Sequence, residues 1–233
     1  MGVYLWQSQQ VTASKWAVIP EGAYTISDPN NADQERIVTL DAFVIEQTEV
    51  TNWQYRRCYE AEVCPQPTYD RNATRPSYLM NRDFDSYPVV YVTWNEANTY
   101  CQWIDRHLPS AAEWEVAASI APATQRRYLY PWGDRFKTEL ANTGANQIDA
   151  AQPVGLYHPA GDSPFGVWDM AGNVAEWTET APAVQLDHAL VKGGSYSDEP
   201  DAVQASAYQI LPRTGAAPWL GFRCAKRLAQ VGR

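Results

Sequence analysis

The sequence predicts a loop-rich α+β domain with few short helices and strands. Two observations carry this expectation. Helix-start signals are confined to the stretch between Thr51 and Ser119, where the same four-residue pattern occurs three times. Beyond Ser119 those signals stop, and residues 128–230 hold only short apolar runs cut by Gly, Pro, Asn and Asp.

Residues 1–16 read as a polar lead-in. Residues 18–25 read as a strand with a turn, and Asp28 to Glu35 as a polar loop rich in Asn and Asp. From 37 to 50 the chain reads as extended, with Val38, Leu40, Phe43 and Ile45 showing period-two alternation. Three helices follow, each opened by a capping box: Thr51 with Gln54, Thr93 with Glu96, and Ser110 with Glu113. In each, a hydroxyl and a carboxylate or amide satisfy orphan N–H groups of the first turn. The second helix buries the face bearing Ala97, Tyr100, Cys101 and Ile104, and the third turns Trp114, Ala117 and Ala118 inward. Leu108-Pro109 keeps the two from merging into one helix. No linker separates the helical first half from the loop-rich second half, so a single domain over 17–227 with a tail at 228–233 is expected.

With 233 residues, 45% of them apolar, the chain is long enough to bury a core without metals or disulfides. The composition excludes a disordered chain, a collagen and a coiled coil. The net charge is −9 and no cluster of Lys and Arg stands out, so nucleic acid is not an expected partner. No apolar run is long enough to span a membrane, and the first residues do not read as a signal peptide. Ten Trp and fourteen Tyr against five Phe is an unusual aromatic choice, suited to half-wet loops and binding surfaces. Four cysteines, Cys58, Cys64, Cys101 and Cys224, allow three pairings, with free buried thiols as the alternative. There is no Cys-x-x-Cys, and the three histidines are scattered, which argues against zinc. Asn72-Ala-Thr74 matches a glycosylation sequon, a triplet common by chance.

A series of ordered motifs carries more. Glu-Val-Thr-Asn-Trp-Gln-Tyr (49–55) comes first, then Tyr-Pro-Val-Val-Tyr-Val-Thr-Trp-Asn-Glu-Ala (87–97) and Tyr-Cys-Gln-Trp (100–103). Leu-Pro-Ser-Ala-Ala-Glu-Trp-Glu (108–115) and Tyr-Pro-Trp-Gly (130–133) follow. The last are Asp-Met-Ala-Gly-Asn-Val-Ala-Glu-Trp (169–177), Lys-Gly-Gly-Ser-Tyr (192–196) and Gly-Phe-Arg-Cys (221–224). In this order they resemble the formylglycine-generating enzyme (sulfatase-modifying factor) domain. The resemblance implies a variant of the C-type lectin fold.

Active members of that family oxidise a sulfatase cysteine through two copper-binding cysteines just after Gly-Gly-Ser. Soft thiolates are what Cu(I) requires. The resemblance places those two positions on Asp198 and Val203, so neither copper nor formylglycine generation is expected. Iron-dependent sulfoxide synthases use the same module, but their iron histidines lie partly in another domain. The resemblance also implies calcium. One site would use the side chains of Asp169 and Glu176 and the carbonyls of Gly172 and Val174, hard oxygen donors on a tight loop. The alternative is that Glu176 and Asn173 only hydrogen-bond a buried loop. A second site maps onto Asn142, Thr143, Asn146 and Ile148, with Asp149 as a substitute for one ligand.

Cys101 and Cys224 match two family cysteines that form a disulfide in secreted members, which leaves Cys58 and Cys64 to pair. A continuous helix would hold those two about 9 Å apart, so the pairing requires the helix to end before Pro65. Two disulfides imply a periplasmic or cell-surface setting. With the catalytic pair gone, the expected function is a non-catalytic module that binds a protein, peptide or small ligand. The face expected to do so is 196–219, with Tyr196, Asp198, Glu199, Tyr208, Arg213 and Trp219. Aromatic anchors with Arg are the usual make-up of recognition hot spots. The module would serve as the sensor end of a bacterial receptor kinase. The alternatives are the variable protein of a diversity-generating retroelement and an oxidoreductase acting on a cysteine or sulfur substrate. Trp53, Trp94, Trp103, Trp114, Trp132 and Trp177 all lie in family motifs and are expected to be scaffold.

Overall fold

The computed structural model describes residues 16–28, 31–67, 69, 71–72 and 75–228. The expected lead-in and tail lie outside that range except for Trp16 and Leu228, as do Ala73 and Thr74 of the sequon. In chain order the elements begin with β1 (Trp16–Ile19), β2 (Gly22–Asp28), β3 (Asn31–Leu40) and β4 (Phe43–Glu46). Helix α1 (Asn52–Glu60) follows, then the short pair β5 (Arg71–Asn72) and β6 (Arg75–Pro76), then α2 (Trp94–Trp103) and α3 (Ala111–Ser119). A long stretch of turns leads to β7 (Ala175–Trp177), β8 (His188–Lys192), β9 (Tyr208–Pro212), β10 (Leu220–Gly221) and β11 (Ala225–Arg227). After Ser119 the described residues contain only strands, turns and single 3₁₀ turns, as the sequence pattern implies.

Two sheets organise the chain. One has the order β1-β4-β11 and is antiparallel throughout. The other has the order β10-β7-β8-β9, in which only the β10–β7 pair is parallel. A hairpin of β2 and β3 stands beside them, in register from Gly22 opposite Leu40 to Ser27 opposite Glu35, after which the register shifts so that Asp28 pairs with Asn31. That hairpin corrects the expected polar loop at 28–35. Its far end faces water, and Glu35, Arg36 and Ile37 are exposed. There the backbone ladder alone defines the strand, and no apolar alternation marks it.

All three capping boxes form. The Thr51, Thr93 and Ser110 hydroxyls accept from the N–H groups of Gln54, Glu96 and Glu113, whose side chains accept in return from the cap N–H groups. Helix α1 ends at Glu60, and the chain turns back so that the Cys64 N–H donates to the Cys58 carbonyl. The two α-carbons are then 5.2 Å apart and the disulfide closes. Cys101 on α2 is bridged to Cys224, next to β11. This bridge lies in the largest apolar cluster, with Val50, Tyr55, Tyr100, Leu108, Trp177 and Phe222. A second cluster gathers Ile19, Ile26, Phe43, Ile45, Trp114 and Val116 between the first sheet, the hairpin and α3.

Glu113 shows how a local signal becomes a tertiary one. Its Oε2 accepts from the Ser110 N–H at 2.7 Å and lies 3.4 Å from His107 Nε2, while Arg227 of β11 donates to Oε1 at 3.1 Å. Burial alone would raise its carboxyl pKa. The His107 and Ser110 hydrogen bonds and the Arg227 charge outweigh burial and hold it below the ordinary range. A depressed folded-state pKa contributes stability above the unfolded value, near pH 4.3, and that contribution is lost as pH falls through the folded value. Glu113→Gln is therefore expected to cost about 1 kcal/mol at pH 7, a difference that closes as the pH falls toward 3. Urea denaturation of both proteins across that range reads it.

Candidate functional site

The loops singled out for calcium pack against each other. The Asn173 N–H donates to the Asn142 carbonyl at 2.7 Å, and Asn142 Nδ2 donates to Asn173 Oδ1 at 3.2 Å. Gly172 makes the approach feasible. Its φ is +78°, and a Cβ there would lie 2.1 Å from the Asn142 carbonyl oxygen. Asn173 Oδ1 also accepts from the Gln152 N–H, and its Nδ2 donates to Glu49 Oε1 at 2.9 Å.

Beneath the loops is a buried charge cluster. Arg223 grips Glu176 with two donors, Nε to Oε2 and Nη2 to Oε1, both at 2.7 Å. Trp114 Nε1 donates to the same Oε2 at 2.9 Å. The remaining guanidinium contacts are the carbonyls of Glu46 and Trp168. Asp169 accepts from the Gly155 N–H at 2.5 Å. Glu49 Oε2 is buried without a hydrogen-bond partner. Three carboxylates thus share one guanidinium. Burial, reinforced by the neighbouring Asp169 charge, pushes Glu49 well above the usual carboxylate range. Burial likewise pushes Asp169 up to about 6, despite the Gly155 hydrogen bond and Arg223.

Of the first ligand set, Asp169 and Glu176 are brought together, but the oxygens of Glu176 already hold Arg223 and Trp114. Asn173 secures the loop, as the alternative reading requires of it. Of the second set, Asn142 and Thr143 are buried, and Asn142 Oδ1 has no partner. Asn146 instead caps a short turn, accepting from the Thr143 N–H at 2.8 Å, and Ile148 is exposed. Among the described residues no group of three or more His, Cys, Asp and Glu side chains is arranged to hold a metal.

The segment 196–219 does not present its six residues on one face. Arg213 stacks over Trp94, its guanidinium carbon 4.0 Å from the ring centroid, and its Nε donates to the His188 carbonyl. Trp94 and Tyr91 are held alongside by backbone bonds to the carbonyls of Arg213 and Ala217. Trp219 and Tyr91 pack against the cluster that contains buried Tyr196. Together these form one half-exposed aromatic patch. Tyr208 lies elsewhere, in a narrow cleft with Ile26, Glu115 and Lys192. Asp198 folds back to accept from the Ser195 N–H and hydroxyl, and Glu199 stands at the head of the turn at Pro200–Val203 without a side-chain bond to it. Val203 is buried with Tyr130, Ala141 and Ala171.

One expectation about aromatic residues needs correction. Trp114 and Trp177 are fully buried scaffold, but Trp53, Trp94 and Trp132 are half-buried and Trp103 is 38% exposed. Position on the helix decides the difference: Trp114 faces the second apolar cluster, whereas Trp53 and Trp103 lie on the sides of their helices that border an open cleft. The reading also gave no role to Glu49 or Arg223, although both stand in quoted motifs. Arg223 directly follows Phe222 in a fully buried stretch, and an Arg flanked by core residues was the available signal.

The chain matches the profile of the sulfatase-modifying factor enzyme 1-like domain over residues 4–228. It is 34% identical over 155 residues to the inactive C-alpha-formylglycine-generating enzyme 2 of Bos taurus, covering 60% of this chain and 50% of that one. It is 31% identical over 220 residues to the serine/threonine-protein kinase pkn1 of Chlamydia pneumoniae, covering 82% of this chain and 34% of the kinase. The chain thus spans about half the length, or less, of these curated relatives. The solved Treponema denticola variable protein 1 superposes with a TM-score of 0.71 at 17% identity, covering 91% of this chain and 95% of that one. That likeness is one of fold, and it agrees with the C-type-lectin-like α+β architecture implied by the motifs.

Removing the guanidinium would take from buried Glu176 its ion-pair partner and two of its hydrogen bonds, beside two further carboxyls. Arg223→Met is therefore expected to destabilise the protein by about 3–5 kcal/mol. Glu49→Gln removes one of the crowded acids and is expected to be neutral or stabilising at pH 8. Thermal or chemical denaturation of the two variants separates these outcomes.

Proposed function

The chain belongs to the sulfatase-modifying factor enzyme 1-like family, and on that premise we propose that it is a non-catalytic ligand-binding module. The observation that carries this reading is the state of its thiols. The sequence has four cysteines, and all four are closed in the pairs Cys58–Cys64 and Cys101–Cys224. The two positions where the family keeps its copper thiolates hold Asp198, turned into a hydrogen-bonded loop, and Val203, buried among apolar side chains. Neither supplies a soft ligand. A relative named as inactive supports the reading. The kinase relative supports a role as the sensing part of a receptor, and the two disulfides favour an extracytoplasmic setting.

The binding surface in this reading is the patch of Tyr91, Trp94, Arg213 and Trp219. Arg213 stacks on the Trp94 indole and spends its Nε on the His188 carbonyl, which leaves the terminal Nη groups at the guanidinium edge for a partner, and the partner class is a protein or peptide. Calcium belongs to the same reading as a structural ion. The unpartnered Glu49 Oε2 beside Asp169, and the unpartnered Asn142 Oδ1, are hard oxygen donors of the kind Ca²⁺ takes.

Three measurements test these statements. With copper and a cysteine-containing peptide, oxygen consumption is expected to stay at background, and turnover would sink the non-catalytic reading. Peptides selected on the immobilised protein are expected to lose binding to Arg213→Ala; peptides indifferent to that change would move the surface elsewhere. Ca²⁺ added to chelator-treated protein is expected to raise the Tm of the wild type and not that of Asp169→Asn. An unchanged wild-type Tm refutes the ion.

A further inference from the structure

A second aromatic and cationic site lies away from both loops and from segment 196–219. An open cleft of about 360 Å³ is lined by Trp16 of β1, Trp53 and Arg57 of α1, Tyr100 and Trp103 of α2, and Arg106 just beyond α2. The helices dictate this grouping. Trp53 and Arg57 are one turn apart on α1, and Tyr100 and Trp103 share a face of α2, so each helix presents its pair to the gap between them. The volume suits a small molecule.

Two guanidiniums are fixed at its walls. Arg57 lies over the Trp53 ring, with its guanidinium carbon 4.9 Å from the centroid, and Arg106 lies over Trp16 at 4.7 Å. Stacking sets the guanidinium plane and leaves the in-plane donors at its edge. Among the described residues no carboxylate lies within ion-pair distance of Arg57. Arg106 Nη1 donates to the carbonyls of Ile104 and Asp105, and its Nε is buried without a partner. The Asp105 carboxylate is shared unequally, its Oδ2 lying 3.9 Å from Arg106 and 2.5 Å from Lys226. In a chain of net charge −9, this is a local cationic spot walled by aromatic rings.

We propose that this cleft binds a small carboxylate that carries an aromatic ring. The fork of a stacked guanidinium matches the two oxygens of a carboxylate. The indoles and the Tyr100 ring, with Tyr100 and Trp103 centroids 6.0 Å apart and tilted by 56°, offer offset and edge-on contacts to one more ring. A phosphate fits less well, because the lining has no lysine and no glycine loop to supply further donors.

Calorimetry on the full chain tests this with four probes: indole-3-acetate, its neutral amide, acetate and phenyl phosphate. Saturable one-to-one binding of indole-3-acetate is expected, at least about tenfold tighter than the amide, with acetate undetectable and phenyl phosphate weaker than the acid. Arg57→Gln and Trp103→Ala each change an exposed side chain and are expected to leave the Tm intact while weakening the acid by about tenfold. Arg213→Ala is expected to leave its affinity unchanged. The proposal is overturned by equal affinity for acid and amide, by tighter binding of the phosphate, by wild-type affinity in Arg57→Gln, or by no saturable binding of the acid.

Discussion

The buried pair of Arg223 and Glu176 is the interaction on which the rest of the arrangement depends. Arg223 lies between β10 and β11, one strand in each main sheet. Its guanidinium reaches Glu176 on β7 of one sheet and the Glu46 carbonyl at the end of β4 of the other. Trp114 of α3 and the Trp168 carbonyl complete the junction. The guanidinium therefore joins two sheets and the loop that precedes Asp169, and Glu176 brings in the helix through Trp114. Ion pairs taken wholly out of water contribute little net stability, because desolvation offsets the attraction. What such a pair contributes is position: with five donors in a fixed plane, only one relative placement of these elements satisfies every bond.

Crowding is the counterpart of that order. A single guanidinium cannot neutralise Glu176, Asp169 and Glu49 together, and the surplus appears as raised carboxyl pKa values and an unpartnered oxygen. A protein interior tolerates such an arrangement when the surplus charge takes up protons or a cation. The loop at 169–176 is thus both braced by buried hydrogen bonds and strongly polarised.

Legibility in the sequence followed the range of each interaction. The three capping boxes were readable because donor and acceptor are three residues apart, and each formed as written. The closure of Cys58 on Cys64 needed only the end of a helix, which Pro65 marks. The partnership of Arg223 with Glu176 spans 47 residues, and no local pattern announces it. Strand β3 was misread at its start because a water-facing hairpin needs no apolar alternation there. The tryptophans mark a subtler limit: motif membership located six of the ten, but enclosure of Trp114 and exposure of Trp103 depend on which sheet or helix covers the site. The recognition surface suffered most. Segment 196–219 turned out to be three environments, and its aromatic patch is completed by Tyr91 and Trp94 from a motif more than a hundred residues earlier.

The first sheet has a mechanical consequence. Strands β1 and β11 both run antiparallel to β4, on its two sides, and so run parallel to each other. Tension transmitted through the segments before β1 and after β11 would draw the two strands in opposite directions along β4. Ladder bonds lie perpendicular to that pull and would be loaded together, in shear. The two sides differ in strength. On the β11 side, the bridge between Cys224 and Cys101 passes the load covalently into α2. On the β1 side four paired residues, Trp16 to Ile19, and their packing resist it without a covalent bridge. A module tethered at both ends would yield there first, and the strand that gives way carries Trp16, one wall of the aromatic cleft.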